Sequence, residues 1–218
     1  MKSIVILCDG EFPRKVYPLY LLDSADAVVC CDAAVVKYLR YTRRKFGEER
    51  LPEAVVGDMD TLSPSWRERL APLIVQEKEQ DYNDLTKAMR YVLRVHPDVS
   101  EIHILGAGGR REDHTVGNLG LLMEYPRLFP LGDIRVDMVS DYSTAFAVTD
   151  SCELHVGKGR RVSLFSPDNS LQLRSEGLQW ATDKVVFDNW WPATLNRATE
   201  DVIRLRLSHP SRVLVVLD

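Results

Sequence analysis

The chain has 218 residues, 45% of them hydrophobic, which suits one large domain or two small ones and is too apolar for a disordered chain. Its 28 Lys and Arg stand against 32 Asp and Glu, a formal charge of -4 that argues against a general nucleic-acid binder, since such proteins carry a basic face. The four cysteines (Cys8, Cys30, Cys31 and Cys152) match no zinc spacing, the apolar run at 4–7 is too short for a signal peptide, and no segment is long enough to cross a bilayer, so a cytoplasmic protein with no membrane partner is expected.

Residues 3–7 are an apolar run ending at Asp9-Gly10, the pattern of a strand and a turn. Pro13 and Pro18 break up a loop that leads to 19–22. A second buried strand over 27–31 carries Cys30 and Cys31 and ends at Asp32, which would cap a helix over 33–41. The Arg43-Arg44-Lys45 run reads as a solvated loop. A third strand over 54–56 reaches Gly57, and Ser63-Pro64 opens a short helix through residue 70. A short fourth strand at 73–75 precedes an acidic stretch, after which Leu85, Ala88, Met89, Val92 and Leu93 form one helical stripe. A fifth strand at 102–105 runs into a glycine-rich loop, a helix at 115–125 and a sixth strand at 134–139.

This alternation predicts an α/β fold, a doubly wound, mostly parallel sheet. After about residue 141 short β-rich segments follow at 152–156, 161–166, 171–174, 184–187, 202–207 and 213–217. They predict a small antiparallel β-sandwich, so the domains are expected at 1–141 and 142–218.

Chemistry is expected where acidic or glycine-rich segments follow strands, because the carboxyl edge of an open parallel sheet is where ligands bind. Gly57-Asp58-Met59-Asp60 follows the third strand, Asp81-Tyr82-Asn83-Asp84 the fourth and 106–114 the fifth. If the chain stays extended past Gly57, Asp58 and Asp60 lie on one side, and a hard cation such as Mg²⁺ would offset their repulsion. Asp81, Asp84 and Asp113 can also be read as helix caps or surface ion-pair partners. His114 and Asn118 share a helix face. Gly106-Ala107-Gly108-Gly109-Arg110 offers amides and a guanidinium to an anion, but it is neither a dinucleotide fingerprint nor a Walker loop. No nucleophile with a base partner stands out.

Three motifs together resemble the signatures of thiamine pyrophosphokinases. They are Gly57-Asp58-Met59-Asp60-Thr61, Asp81-Tyr82-Asn83-Asp84-Leu85-Thr86-Lys87-Ala88, and Leu105-Gly106-Ala107-Gly108-Gly109-Arg110 with Asp113-His114 and Asn118. The resemblance covers most of 1–141 and continues more weakly at Gly177-Leu178-Gln179-Trp180 and Ala193-Thr194-Leu195-Asn196. It implies an α/β catalytic domain, a β-sandwich thiamine-binding domain and a homodimer with sites at the interface. It implies transfer of the terminal pyrophosphate of ATP to the thiamine hydroxyl, releasing AMP.

By motif position, Asp58, Asp60 and Asp84 resemble Mg²⁺ ligands, with Asp81 and Asp113 as further catalytic carboxylates. Asp32, Lys87, Gly108, Gly109, Arg110 and Asn118 resemble the ATP- and phosphate-binding set. Thr194 and Asn196 fall in the thiamine-binding motif, and Trp190 or Trp191 stands in for the aromatic missing after Asn196. Two departures are visible: the family's Asp-Gly-Gly is Asp32-Ala33-Ala34 here, and its Gly-Thr-Ser-Asn is Ala193-Thr194-Leu195-Asn196. The rival expectations are a sugar-nucleotide transferase, which also uses Asp-x-Asp after a strand, and a sensing module for thiamine or nucleotide on the same fold.

Overall fold

The structure, a computed structural model, describes residues 1–218. It divides into two compact units, Met1–Asn118 with Gly132–Asp141, and Leu119–Leu131 with Tyr142–Asp218.

The first unit holds β1 (Lys2–Leu7), α1 (Val16–Ser24), β2 (Ala27–Cys31), α2 (Ala34–Phe46), β3 (Ala54–Gly57), α3 (Pro64–Arg69), β4 (Ile74–Gln76), α4 (Asp84–Val95) and β5 (Val99–Leu105). It also holds the first turns of α5 (Glu112–Leu128), and β6 (Arg135–Val139). The strands pair in parallel in the order β6-β5-β1-β2-β3-β4. From β1 the chain steps outward to β4, then returns to the other side of β1, so the strand order reverses between β1 and β5 while the strands stay parallel. Crevices of that kind are where doubly wound sheets take ligands.

The strands are apolar runs because both faces are covered. On one face Val5, Leu7, Leu105 and Val139 pack with Leu21, Leu22, Val35, Tyr38 and Leu39 of α1 and α2. The predicted stripe on α4 is buried at Leu85, Ala88, Met89 and Val92.

Several local expectations are corrected. Residues 16–24 form a helix rather than a loop, and Pro18 sits in its first turn, where a missing N–H costs nothing. The Arg43-Arg44-Lys45 run is the last turn of α2, favoured there by the helix dipole, and Lys45 pairs with Asp23. Gly47 then ends the helix in the left-handed conformation, with φ 80°. Asp32 does not cap α2; the capping position is Ala33, and Asp32 accepts instead from the Thr61 N–H at 3.2 Å.

The second unit is two antiparallel sheets. It adds β7 (Thr144–Val148), β8 (Cys152–His155), β9 (Arg161–Phe165), β10 (Leu173–Glu176), β11 (Asn196–Arg197), β12 (Val202–Leu207) and β13 (Val213–Leu217). One sheet runs β11-β9-β13-β7 and the other β10-β12-β8. Val162, Leu164, Val213 and Val215 of the first sheet meet Leu173, Ile203 and Leu205 of the second, a sandwich core. The expected strand at 184–187 does not form. Phe187 is buried in the core as a single anchor, and Val185 closes a turn onto Thr182.

Asp168 ties the loops of this unit together. It accepts from the hydroxyls of Ser170 (2.6 Å) and Ser211 (2.7 Å) and pairs with His209 (2.9 Å). The Ser170 hydroxyl first, then Ser211 and His209, hold its carboxyl well below the ordinary range. A carboxyl lowered in the folded state stabilises above its unfolded pKa of about 3.9 and loses that contribution as pH falls toward the folded value. Asp168→Ala is therefore expected to cost about 1–3 kcal/mol at neutral pH, with the deficit shrinking below about pH 3.9. Urea unfolding of both proteins at neutral and acid pH checks the sign.

Candidate active site

The carboxyl ends of β1 to β5 lie at one edge of the first unit's sheet. At the reversal point the loops after β1 and β5 zip together. The Cys8 N–H donates to Leu105 O at 2.8 Å, Gly10 N–H to Gly106 O at 2.7 Å, and Glu11 N–H to Gly108 O at 2.8 Å. A methyl group on Gly10 would fall 2.2 Å from Gly106 O and 2.5 Å from Gly108 O, both backbone atoms that cannot swing away. Gly10→Ala is therefore expected to cost at least about 2 kcal/mol and to lower activity through the displaced glycine loop. A denaturant midpoint equal to that of the parent protein would refute this close approach.

Above the zipped loops is a cavity of 440 Å³, bounded by Asp9, Asp32, Asp84, Gly108, Arg110 and Asn118 among others. Asp9 bridges two cations on its rim. Its carboxylate accepts from Lys37 Nζ at 2.7 Å and from Arg110 Nη1 at 3.2 Å. Asn118 donates to Ala107 O at 2.7 Å and accepts from Asn83 at 2.8 Å. Asn83 in turn caps α4 by accepting from the Thr86 N–H. The glycine loop, α5 and α4 are thus held to one another by side-chain amides.

On the acidic side, carboxylate oxygens of Asp32, Asp58 and Asp60 lie within 4.8 Å of one another. The chain does not stay extended after Gly57, so strand alternation is not what brings Asp58 and Asp60 together. Met59 is buried and turns the backbone into the left-handed region (φ 67°), and the Asp60 N–H folds back onto Asp58 Oδ1 at 3.1 Å. Asp32 is also left-handed (φ 42°). Non-glycine residues held in that region collect at functional sites.

Burial raises the Asp32 pKa, and its Oδ1 is buried with no hydrogen-bond partner. An unpartnered buried oxygen in a cluster of hard carboxylate donors suits a hard divalent cation such as Mg²⁺, so these residues fit that ion. Asp58 is lowered, chiefly by the Asp60 backbone N–H.

Asp84 lies beside the cluster, packed over Gly57, where an added Cβ would stand 3.0 Å from the Asp84 carboxyl carbon. Burial raises its pKa. Its partner is the Lys87 ammonium at 3.3 Å on a side chain only 2% exposed. Asp81 and Asp113 are exposed and lie outside the cavity lining. Asp113 is lowered first by Arg111, which holds it in a close ion pair.

In the second unit, Trp190 and Trp191 are largely exposed, and the Trp190 ring packs against Phe165 at 5.9 Å. Thr194 Oγ1 donates to Trp191 O at 2.8 Å. Asn196 is buried, and its amide brackets the Trp180 backbone, accepting from its N–H at 3.1 Å and donating to its carbonyl at 2.7 Å. Leu195 is left-handed (φ 58°) and exposed. Sequence reasoning missed Asp9, Lys37 and Thr61. Asp9 was findable, since it too follows a strand at the carboxyl edge.

The family model described as "Thiamin pyrophosphokinase, catalytic domain" matches residues 19–129, just over half of the chain. The chain belongs to the thiamin pyrophosphokinase family. The family's substrate-binding domain model matches residues 144–215. Thiamine pyrophosphokinase 1 of Oryza sativa subsp. japonica is 28% identical over 171 residues, covering 71% of this chain and 62% of that protein. The thiamine pyrophosphokinase of Bacillus subtilis (strain 168) is 37% identical over 76 residues, covering 33% of this chain and 35% of that one. The chain thus spans less than two thirds of the length of these curated relatives. Among solved structures, the Candida albicans thiamin pyrophosphokinase superposes with TM-score 0.75 at 16% identity, covering 99% of this chain and 88% of that one. The Bacillus subtilis enzyme structure gives TM-score 0.73 at 18% identity, covering 100% and 99%. These likenesses show that the chain shares the fold of those structures.

Proposed function

We propose that the protein is a Mg²⁺-dependent thiamine pyrophosphokinase, moving the terminal pyrophosphate of ATP to the thiamine hydroxyl and releasing AMP. The observation that carries the reading is the convergence of Asp32, Asp58 and Asp60, with an unpartnered buried oxygen, beside a glycine-loop cavity of nucleotide-compatible size.

Phosphoryl transfer chemistry asks for positioning and charge neutralisation more than for a covalent residue. Asp32, Asp58 and Asp60 would hold Mg²⁺, with Asp84 beside them. The ion, when bound, neutralises phosphate oxygens and stabilises the leaving AMP. The glycine-loop amides and Arg110 hold the phosphates, and Asp9 and Asn118 keep that loop in place. Lys87, buried behind the cavity lining, holds Asp84 and would add positive charge to the site. Asp84, raised by burial, is the carboxylate suited to take the thiamine hydroxyl proton, whereas Asp81 and Asp113 face solvent.

In this reading residues 1–141 form the catalytic domain and 142–218 the thiamine-binding domain. Trp190 and Trp191 offer exposed faces for stacking, with Thr194 nearby and Asn196 shaping the loop rather than touching the ligand. The family resemblance further supports a homodimer working in the cytoplasm. No helix is long and apolar enough to cross a membrane.

The test is to incubate the purified protein with ATP, thiamine and Mg²⁺ and separate the products. AMP rising in step with thiamine diphosphate, and abolished by EDTA, is expected. Thiamine monophosphate with ADP would mean a different bond is attacked, and tight thiamine binding without any product would make the protein a sensor.

A further inference from the structure

Two thiols lie in the floor of the same cavity, and nothing in the proposed reaction uses them. Cys8 begins the zipped segment directly after β1, and Cys31 is the last residue of β2. Both line the cavity, and their Sγ atoms are 3.9 Å apart. All four cysteines are unbridged. The pairing Leu7↔Cys30 sets the next residues, Cys8 and Cys31, side by side on neighbouring parallel strands. Such strands run about 4.8 Å apart, inside the Cα separation of about 4.4–6.8 Å that a disulfide spans. The sulfurs need less than about 2 Å of further approach to reach a bond of about 2.05 Å. Cys30 points to the opposite face, into the core with Val5 and Tyr38, and Cys152 belongs to the second unit.

We propose that Cys8 and Cys31 are a redox site, closing to a reversible disulfide when a hydroperoxide enters the cavity. The Cys31 thiol donates toward the Asp84 carbonyl at 3.6 Å, which leaves Cys8 as the attacking sulfur. The Cys8 thiolate attacks one peroxide oxygen, the O–O bond breaks, and Cys8 becomes a sulfenic acid as hydroxide leaves. Cys31 then attacks the Cys8 sulfur, the S–O bond breaks, and water leaves. In sum two thiols and one hydrogen peroxide give one disulfide and two waters; the sulfurs lose two electrons and the peroxide gains them.

The bond couples to the acidic cluster through the chain itself. Cys31 precedes Asp32, whose left-handed backbone carries the unpartnered oxygen. Drawing Cys31 toward Cys8 displaces that carboxylate, so the oxidised protein is expected to lose at least about nine tenths of its turnover, equivalent to a tenfold fall. The linkage stands independently of the proposed activity; only the turnover readout rests on it.

The experiment treats the full-length protein with hydrogen peroxide, blocks remaining thiols with N-ethylmaleimide after unfolding, and sequences proteolytic peptides by mass spectrometry without reductant. The expected product is a linked peptide pair lighter by two hydrogen atoms, with fragment ions assigning the bond to Cys8 and Cys31. Cys30 and Cys152 should carry maleimide. The link should persist in Cys152→Ser, vanish in Cys31→Ser, and open with dithiothreitol as turnover returns. Maleimide on both Cys8 and Cys31 after peroxide, or Cys8 stopping at sulfinic acid, overturns the proposal without needing any variant to fold. A clean link in a protein that makes no thiamine diphosphate even when reduced would sink the proposed function and leave the redox site standing.

Discussion

Asp58→Asn is expected to cut thiamine diphosphate formation by about a hundredfold or more while costing the metal-free protein no more than about 1 kcal/mol. The three clustered carboxylates lie within 4.8 Å, where two unit charges repel by about 1 kcal/mol at bulk-water screening and about 3.5 near a protein surface. With no cation between them, removing one charge relieves that repulsion and so offsets part of what is lost when the hydrogen bonds that lower Asp58 no longer meet a carboxylate. The asparagine side-chain oxygen still accepts the Asp60 N–H that Asp58 accepts at 3.1 Å, so the turn at Met59 keeps its support. The loss is functional because a neutral amide is a poorer ligand for a hard cation than a carboxylate. Steady-state turnover with saturating Mg²⁺ and thermal unfolding in EDTA check the two halves. Near-normal turnover would remove the metal role of this residue, and a large fall in Tm would make it a structural one.

Lys87→Met is expected to destabilise the first unit by about 2–4 kcal/mol. The Lys87 side chain is 2% exposed and its ammonium stands 3.3 Å from Asp84, whose own side chain is 29% exposed. Burial already pushes the Asp84 carboxyl up, and Lys87 pulls against that shift. Methionine fills much of the lysine stem's volume but leaves the carboxylate without its counter-charge. Adding Asp84→Asn in the same chain removes the unpaired charge, so the double variant should recover at least half of the lost stability. Urea midpoints of the parent, both single variants and the double variant form the cycle. Independent, additive losses would show that the pair is not coupled. Turnover should stay low in every variant lacking Lys87, because Asp84 and the site around it lose their buried positive charge.

The parts of the fold that were legible in the sequence are those where one pattern dominates. The apolar runs at β1, β2, β3 and β5 and the stripe on α4 could be read because parallel strands are buried on both faces and α4 on one. The helix at 16–24 was hidden by Pro18, which is a breaker in a helix interior and harmless in a first turn. The strand expected at 184–187 was a misreading of Phe187, whose burial comes from a single turn rather than from an alternating face. The site was legible as a list of segments that follow strands. Its inner arrangement was not: the turn at Met59 and the left-handed Asp32 are backbone conformations that side-chain alternation does not encode, and they bring Asp32 to Asp58 and Asp60. The departure Asp32-Ala33-Ala34 finds a local answer, since Ala33 has an ordinary helical φ of -67° and Ala34 is buried at the start of α2.

If this site moves a pyrophosphate, as proposed, the bond broken lies between the α and β phosphates of ATP. The most direct test supplies thiamine and Mg²⁺ with ATP analogues in which one bridging oxygen is replaced by methylene. The β,γ-methylene analogue should support turnover, giving AMP and a thiamine product carrying the methylene-bridged pair of phosphorus atoms, whereas the α,β-methylene analogue should bind and block it. The opposite pattern, turnover with the α,β-methylene analogue and none with the β,γ-methylene one, would rule out pyrophosphate transfer, because the γ phosphate alone would then be the group transferred.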